Sequence, residues 1–281
     1  MIELIKRVRV HPLFWLVIAA GIITGHFKEV LMVFVIVFVH EMGHSVAAYM
    51  LKWDIKKIEL LPFGGAAQVE ENGTKPIKEE MAIVLAGPLQ HLWLWALSFA
   101  LVGQPFWSES DHELFVAHNA AIVLFNLLPI YPLDGGRMVQ LACLAVWPYK
   151  RAMAASLGIS VGFLAVALSM MLFLPFHLNL FVVLSFLALT NGLEFKQRNY
   201  RFMRFLMAKQ TDRAMKSIHA RVSGQLPIRD ALALLRRGQV QLFVIEDGGT
   251  RYTIAEKELL QAYFAEAKLH APVRTLVPPA V

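Results

Sequence analysis

Six apolar stretches, each near the length of a bilayer core, leave this chain few folds to choose from. They lie near residues 12–26, 29–51, 81–103, 114–133, 152–175 and 177–193. About 20 apolar residues in helical form cross the roughly 30 Å of hydrocarbon. Lipid offers backbone amides no partner, so such segments cross as helices. Hydrophobic residues make up 57% of the chain and charged residues only 17%, which excludes an ordinary soluble domain. The basic first ten residues run into apolar sequence with no obvious small-residue cleavage site, and read as an anchor rather than a removed signal peptide. The lone cysteine, Cys143, excludes an intrachain disulfide framework.

Charge orients the spans. Basic residues precede span one (Lys6, Arg7, Arg9) and fill the connection after span two (Lys52, Lys56, Lys57, Lys75, Lys78). They recur between spans four and five (Arg137, Lys150, Arg151) and after span six (Lys196, Arg198, Arg201, Arg204). The loop with Glu109, Asp111 and Glu113 is acidic. All basic loops thus fall on one side, which the positive-inside rule makes cytoplasmic, together with both termini. The same rule accounts for the net charge of +6, so no direct nucleic-acid partner is expected.

The fold expected is an all-α polytopic membrane protein of six transmembrane helices with two soluble additions. One is a small cytoplasmic β-hairpin within "IKKIELLPFGGAAQVE", turning around Pro62, Gly64 and Gly65. The other follows the membrane domain, residues 1–193: a basic helical linker over 194–220, then a small α/β module over 221–281. The linker's cations suit contact with anionic lipid as well as topology.

The second span carries chemistry that a lipid-facing helix does not need. "VIVFVHEMGHSVAA" places His40, Glu41 and His44 among valines and phenylalanines, and ionisable groups at that depth are costly. His40 and His44, four apart, share a helical face and can present two imidazoles to one metal. Glu41 beside them can reach the attacking water rather than the metal, as in zinc peptidases. Two core histidines with a Glu–Lys pair are the plainer explanation, but the span holds no lysine or arginine to pair with Glu41.

A catalytic zinc takes a third protein ligand and keeps one position open. Asp134, in "FNLLPIYPLDGGR", is the candidate, because the charge-derived topology puts it on the same side and at a similar depth. A helix-end carboxylate paired with Arg137 is the alternative for that residue. Pro129 and Pro132 break the helix there and let irregular backbone line a wet cavity. Asn126 can donate to a developing oxyanion.

HEMGH in span two, "LLPFGG" after it, "LAGPLQH" in span three and "NLLPIYPLDGG" in span four resemble the site-2 protease family. These are zinc metalloproteases that cut peptide bonds within or beside the membrane. With "VHPLFWL" and "LQAYFA", the likeness extends along nearly the whole chain. It is strongest to the sporulation branch, which processes the inactive pro-form of the late mother-cell sigma factor, pro-sigma-K. The resemblance implies one catalytic Zn2+ on His40, His44 and Asp134, with Glu41 as general base. It implies that Asn126, Pro132, Phe63, Gly64 and Gly65 contact substrate. It also implies membrane-bound inhibitor or regulator proteins and residence in the mother-cell membrane around the forespore. "LPIRDALALLRRGQVQLFVIEDGG" resembles one CBS repeat, a module associated with ATP. CBS repeats work in pairs, so pairing with a second subunit, as a homo-oligomer, and an incomplete module are both compatible.

His91 and His118 read as interior or interface histidines. A membrane metal transporter or metal sensor using the same His and Asp residues is the competing reading, but it leaves the Pro/Gly-rich segment without a task.

Overall fold

The computed structural model describes residues 8–10, 19, 21–53, 55–61, 64–69, 75–173, 175, 177–211, 217–247 and 250–277. The chain is mostly helical. It divides into two compact units, one of residues 1–70, 78–138 and 160–190, the other of 71–77, 139–159 and 191–281.

The first unit opens with a short strand β1 (Val8–Val10), followed by helix α1 (Phe27–Met50). The end of α1 is locally encoded. Lys52 takes φ 56°, and the Trp53 and Lys52 amides bond back to the carbonyls of Ala48 and Tyr49 at 2.9 and 3.1 Å. That is a Schellman stop with lysine where glycine is usual. Trp53 then packs on Ala48 and Ile83, and its indole nitrogen donates to Glu79 at 2.9 Å.

Strands β2 (Ile55–Leu61) and β3 (Gly64–Val69) form the expected antiparallel hairpin, lying against α1. The sheet is larger than a hairpin, however, since β1 pairs parallel to β2 in the order β1-β2-β3. Pro62 and Phe63 lie outside the described residues.

Helix α2 (Ile77–Leu101) carries Pro88 in its interior. Helix α3 (Glu109–Asn126) begins at a capping box, with Ser108 and Asp111 satisfying each other's backbone amides. Lys28 of α1 reaches Asp111 at 2.5 Å. Further along, Met32 and Ile36 of α1 pack with Leu94 of α2 and Phe115 of α3.

The chain then breaks where the prolines require it, over residues 127–133, before α4 (Asp134–Val146). Ile130, 1% exposed, anchors the break among Leu164, Leu184 and Leu187. The Tyr131 amide donates to Ser160 at 2.8 Å. Those partners lie on α5 (Tyr149–Met170) and α6 (Leu178–Thr211).

Among the described residues, four helices are long and apolar enough to cross a membrane: α1, α2, α5 and α6. Most of expected span one lies outside the described residues. Expected span four is the shorter α3 with its acidic first turn. Apolar side chains such as Phe99, Leu124, Phe163 and Leu189 stand exposed on these helices, as lipid contact requires. Helix α6 does not stop at 193. Its 34 residues extend about 51 Å, past the hydrocarbon thickness, so the basic stretch up to Thr211 is the same helix.

In the second unit, Phe205 and Leu206 of α6 enter a core with Ile228, Leu232, Phe243, Ile254 and Leu259. The elements are β4 (Ser217–Val222), α7 (Ile228–Leu232), β5 (Val240–Asp247), β6 (Thr250–Ala255) and α8 (Glu256–Phe264). β4 runs parallel and β6 antiparallel to the central β5. Lys209, one cation of the basic stretch read as suited to anionic lipid, is 2% exposed and pairs with Glu256 at 3.3 Å. Glu256 also accepts the Gln241 amide at 2.9 Å.

Candidate metal centre

Helix α1 presents His40 and His44 one turn apart, and the start of α4 presents Asp134 to both. The His40 and His44 Nε2 atoms are 3.1 Å apart. Asp134 Oδ2 lies 3.0 Å from the first and 3.3 Å from the second. His40 is 3% exposed and Glu41, the next residue, 7%.

The tautomer of His44 follows from its neighbour. Its Nδ1 is 2.8 Å from the Ile83 carbonyl, which can only accept, so Nδ1 carries the proton and Nε2 offers a lone pair. Pro88 lacks an amide proton, which interrupts the helical ladder close to that carbonyl. Asp134 Oδ2 is buried without a hydrogen-bond partner. Electron-rich atoms so close together repel unless a cation lies among them. Zinc ligands on a tetrahedron with bonds of about 2.0–2.1 Å stand about 3.3 Å apart, so the observed triangle fits that ion. Among the described residues, this is the group of ligating side chains whose atoms converge tightly enough to hold one.

Backbone constraints hold Asp134 in place. A β-carbon on Gly135 would lie 2.1 Å from the Leu127 carbonyl oxygen, and one on Gly136 would lie 2.5 Å from the Ile130 carbonyl carbon. The double glycine therefore lets the start of α4 press against the irregular segment before it. Arg137 does not pair with Asp134; its guanidinium lies 3.9 Å from Glu80. Asn126 ends α3, and one proton of its amide is donated to the Ile122 carbonyl at 3.0 Å. Pro132 lies in the irregular segment three residues beyond Pro129. Gly64 and Gly65 open β3, while Phe63 lies outside the described residues.

Sequence reasoning missed Gly87, in "AGP". A β-carbon there would meet the His44 ring. The available signal was spacing: 87 and 91 share a face of α2 just as 40 and 44 share one of α1.

Comparison with known proteins identifies the chain's relatives. The family model described as Peptidase family M50 matches residues 28–110. Stage IV sporulation protein FB of Bacillus subtilis is 35% identical across 99% of this chain and 98% of its own length. The chain belongs to Peptidase family M50, the site-2 proteases. As an M50 peptidase it is a metal-dependent peptide hydrolase. A zinc metalloprotease of Methanocaldococcus jannaschii is 32% identical over 60% of this M50 chain and 49% of its own. A solved site-2 protease from that organism aligns over 74% of this chain and 92% of its own, at 25% identity and a TM-score of 0.44.

Proposed function

We propose that the chain is an intramembrane zinc endopeptidase that cuts a membrane-associated substrate in or near the bilayer. The observation that carries this is the convergence of His40 Nε2, His44 Nε2 and Asp134 Oδ2 within about 3 Å, beside buried Glu41. His40, His44 and Asp134 hold the ion. When bound, zinc supplies Lewis acidity, polarising a carbonyl and bringing water's pKa down toward neutrality. Glu41 takes the proton from the attacking water and delivers it to the leaving amine. Asn126 has a second amide proton to offer the developing oxyanion, with Pro132 and Gly64–Gly65 beside the substrate.

The substrate proposed is the pro-sequence of a sporulation sigma factor, pro-sigma-K, held at the mother-cell membrane and released under the control of membrane regulators. Its support is the resemblance in the motifs together with the end-to-end match to a sporulation protein. The charge pattern supports six spans with both termini cytoplasmic. The β-α-β-β-α order after Ser217 supports a single CBS-like module, and the family match gives ATP no support there.

Co-expression with tagged pro-sigma-K tests the reading. The wild type should release a shorter product, and Glu41→Gln should keep its zinc while losing cleavage about a hundred- to ten-thousandfold. Full activity in that variant would remove Glu41 from the mechanism. Loss of zinc together with cleavage would make Glu41 a ligand and favour a metal transporter.

A further inference from the structure

Behind His40, on the side away from Asp134, stands a line of buried polar groups that the catalytic reading does not use. His40 Nδ1 is 3.0 Å from His91 Nε2. His91 Nδ1 is 2.7 Å from Asn119 Oδ1. Asn119 Nδ2 in turn lies 3.0 Å from the main-chain oxygen of His91. These three residues are 3%, 1% and 0% exposed.

The last contact fixes the direction of the others. A backbone carbonyl only accepts, so Asn119 must turn its NH2 toward it and its oxygen toward the His91 ring. His91 Nδ1 therefore carries the proton and donates to Asn119, which leaves Nε2 with a lone pair. That lone pair can only accept, so His40 Nδ1 carries its proton and donates to His91. His40 Nε2 is then a lone pair aimed at Asp134 and His44. Reversing any bond would set two lone pairs or two protons face to face in a buried place, where no water can satisfy them. His44 reaches the same tautomer through a single carbonyl; His40 has this three-part relay instead.

We infer that His91 is a positioning residue for the metal centre, and that Asn119 acts through it to hold His40 in the tautomer that presents Nε2 to zinc. This rests on the reading of His40 as a ligand. Partners of this kind commonly change metal affinity ten- to a hundredfold when removed.

The test uses the full chain, purified in detergent and loaded with zinc alone, with zinc affinity read by chelator competition. His91→Leu should weaken binding about ten- to a hundredfold. His91→Gln, whose terminal oxygen accepts in place of Nε2, should recover most of it. Because Asn119 acts through His91, adding Asn119→Ala to His91→Leu should cause no further loss. The relay is overturned if His91→Leu holds zinc as tightly as the wild type, if Gln and Leu weaken it equally, or if the double variant is additive. Should His91→Leu fail to insert, Asn119→Ala alone decides, since it keeps the ring and must still weaken zinc. A wild type that binds no zinc, or a His40→Ala variant that binds it fully, would instead sink the ligand reading.

Discussion

Gly87 of α2 lies where the His44 ring of α1 needs room: a β-carbon on it would sit 2.2 Å from Nε2, the atom facing Asp134. That atom cannot yield without leaving the metal triangle. Gly87→Ala should therefore lose zinc and cleavage together while the protein still inserts, as metal analysis of the purified variant would show. Full zinc occupancy would mean that the two helices can separate at no cost to the site.

Asp134 is the carboxylate of the triangle, 3.0 and 3.3 Å from the two Nε2 atoms. Asn in its place is a neutral and poorer ligand. Asp134→Asn should lower both zinc content and turnover. If equilibrium dialysis finds zinc bound as tightly as before, another group completes the site.

A substrate helix has its carbonyls bonded internally and must be extended before hydrolysis. β3 is the outermost strand of its sheet among the described residues, with β2 on one side, so its other edge can pair with an extended peptide. Neighbouring strand amides point to opposite edges. Proline lacks the amide proton, so at Ala67 or Gln68, whichever amide points outward, it should cut turnover sharply with zinc retained. Kinetics on both variants decide. Equal, mild effects would show that this strand does not hold the substrate.

Lys209 and Glu256 form a buried pair in the C-terminal unit. Removing one partner of such a pair leaves a charge without its counterion and typically costs about 3–5 kcal/mol. Lys209→Ala should thus destabilise this unit, seen as faster proteolysis of the C-terminal segment. Lys209→Met with Glu256→Leu should recover much of the loss.

Asp111 answers to pH. The hydrogen bond from Lys28, then those from Ser108, depress its carboxyl from 3.8 to about 2. The folded state therefore favours the charged form, and the stabilisation is full above about pH 4 and lost as pH falls toward 2. Salt should weaken it, since the Lys28 side chain is 60% exposed. Thermal melts of wild type and Asp111→Asn should diverge above pH 4 and converge toward pH 2.

Local pattern carried much of this molecule. The i, i+4 spacing of His40 and His44, the prolines around residue 130 and the bias of basic loops are all read within a few residues. Together they put Asp134 on the same side as His40 and His44, the two side chains it lies beside in the fold. What escaped depends on distant partners. β1 is three residues long and gains its identity from β2, some fifty positions later. Lys209 sits in a run of cations and is set apart by distant partners such as Glu256, 47 residues away. His91 looked like any interior histidine because its partner, Asn119, lies on another helix.

The close approaches at Gly87, Gly135 and Gly136 have a genetic consequence. A single-base change in a glycine codon gives the same residue, a stop, or a residue with a β-carbon. Each β-carbon here would meet the His44 ring or a backbone carbonyl group. At these three codons, silent changes should be the single-base changes that leave the zinc content of the protein unaltered.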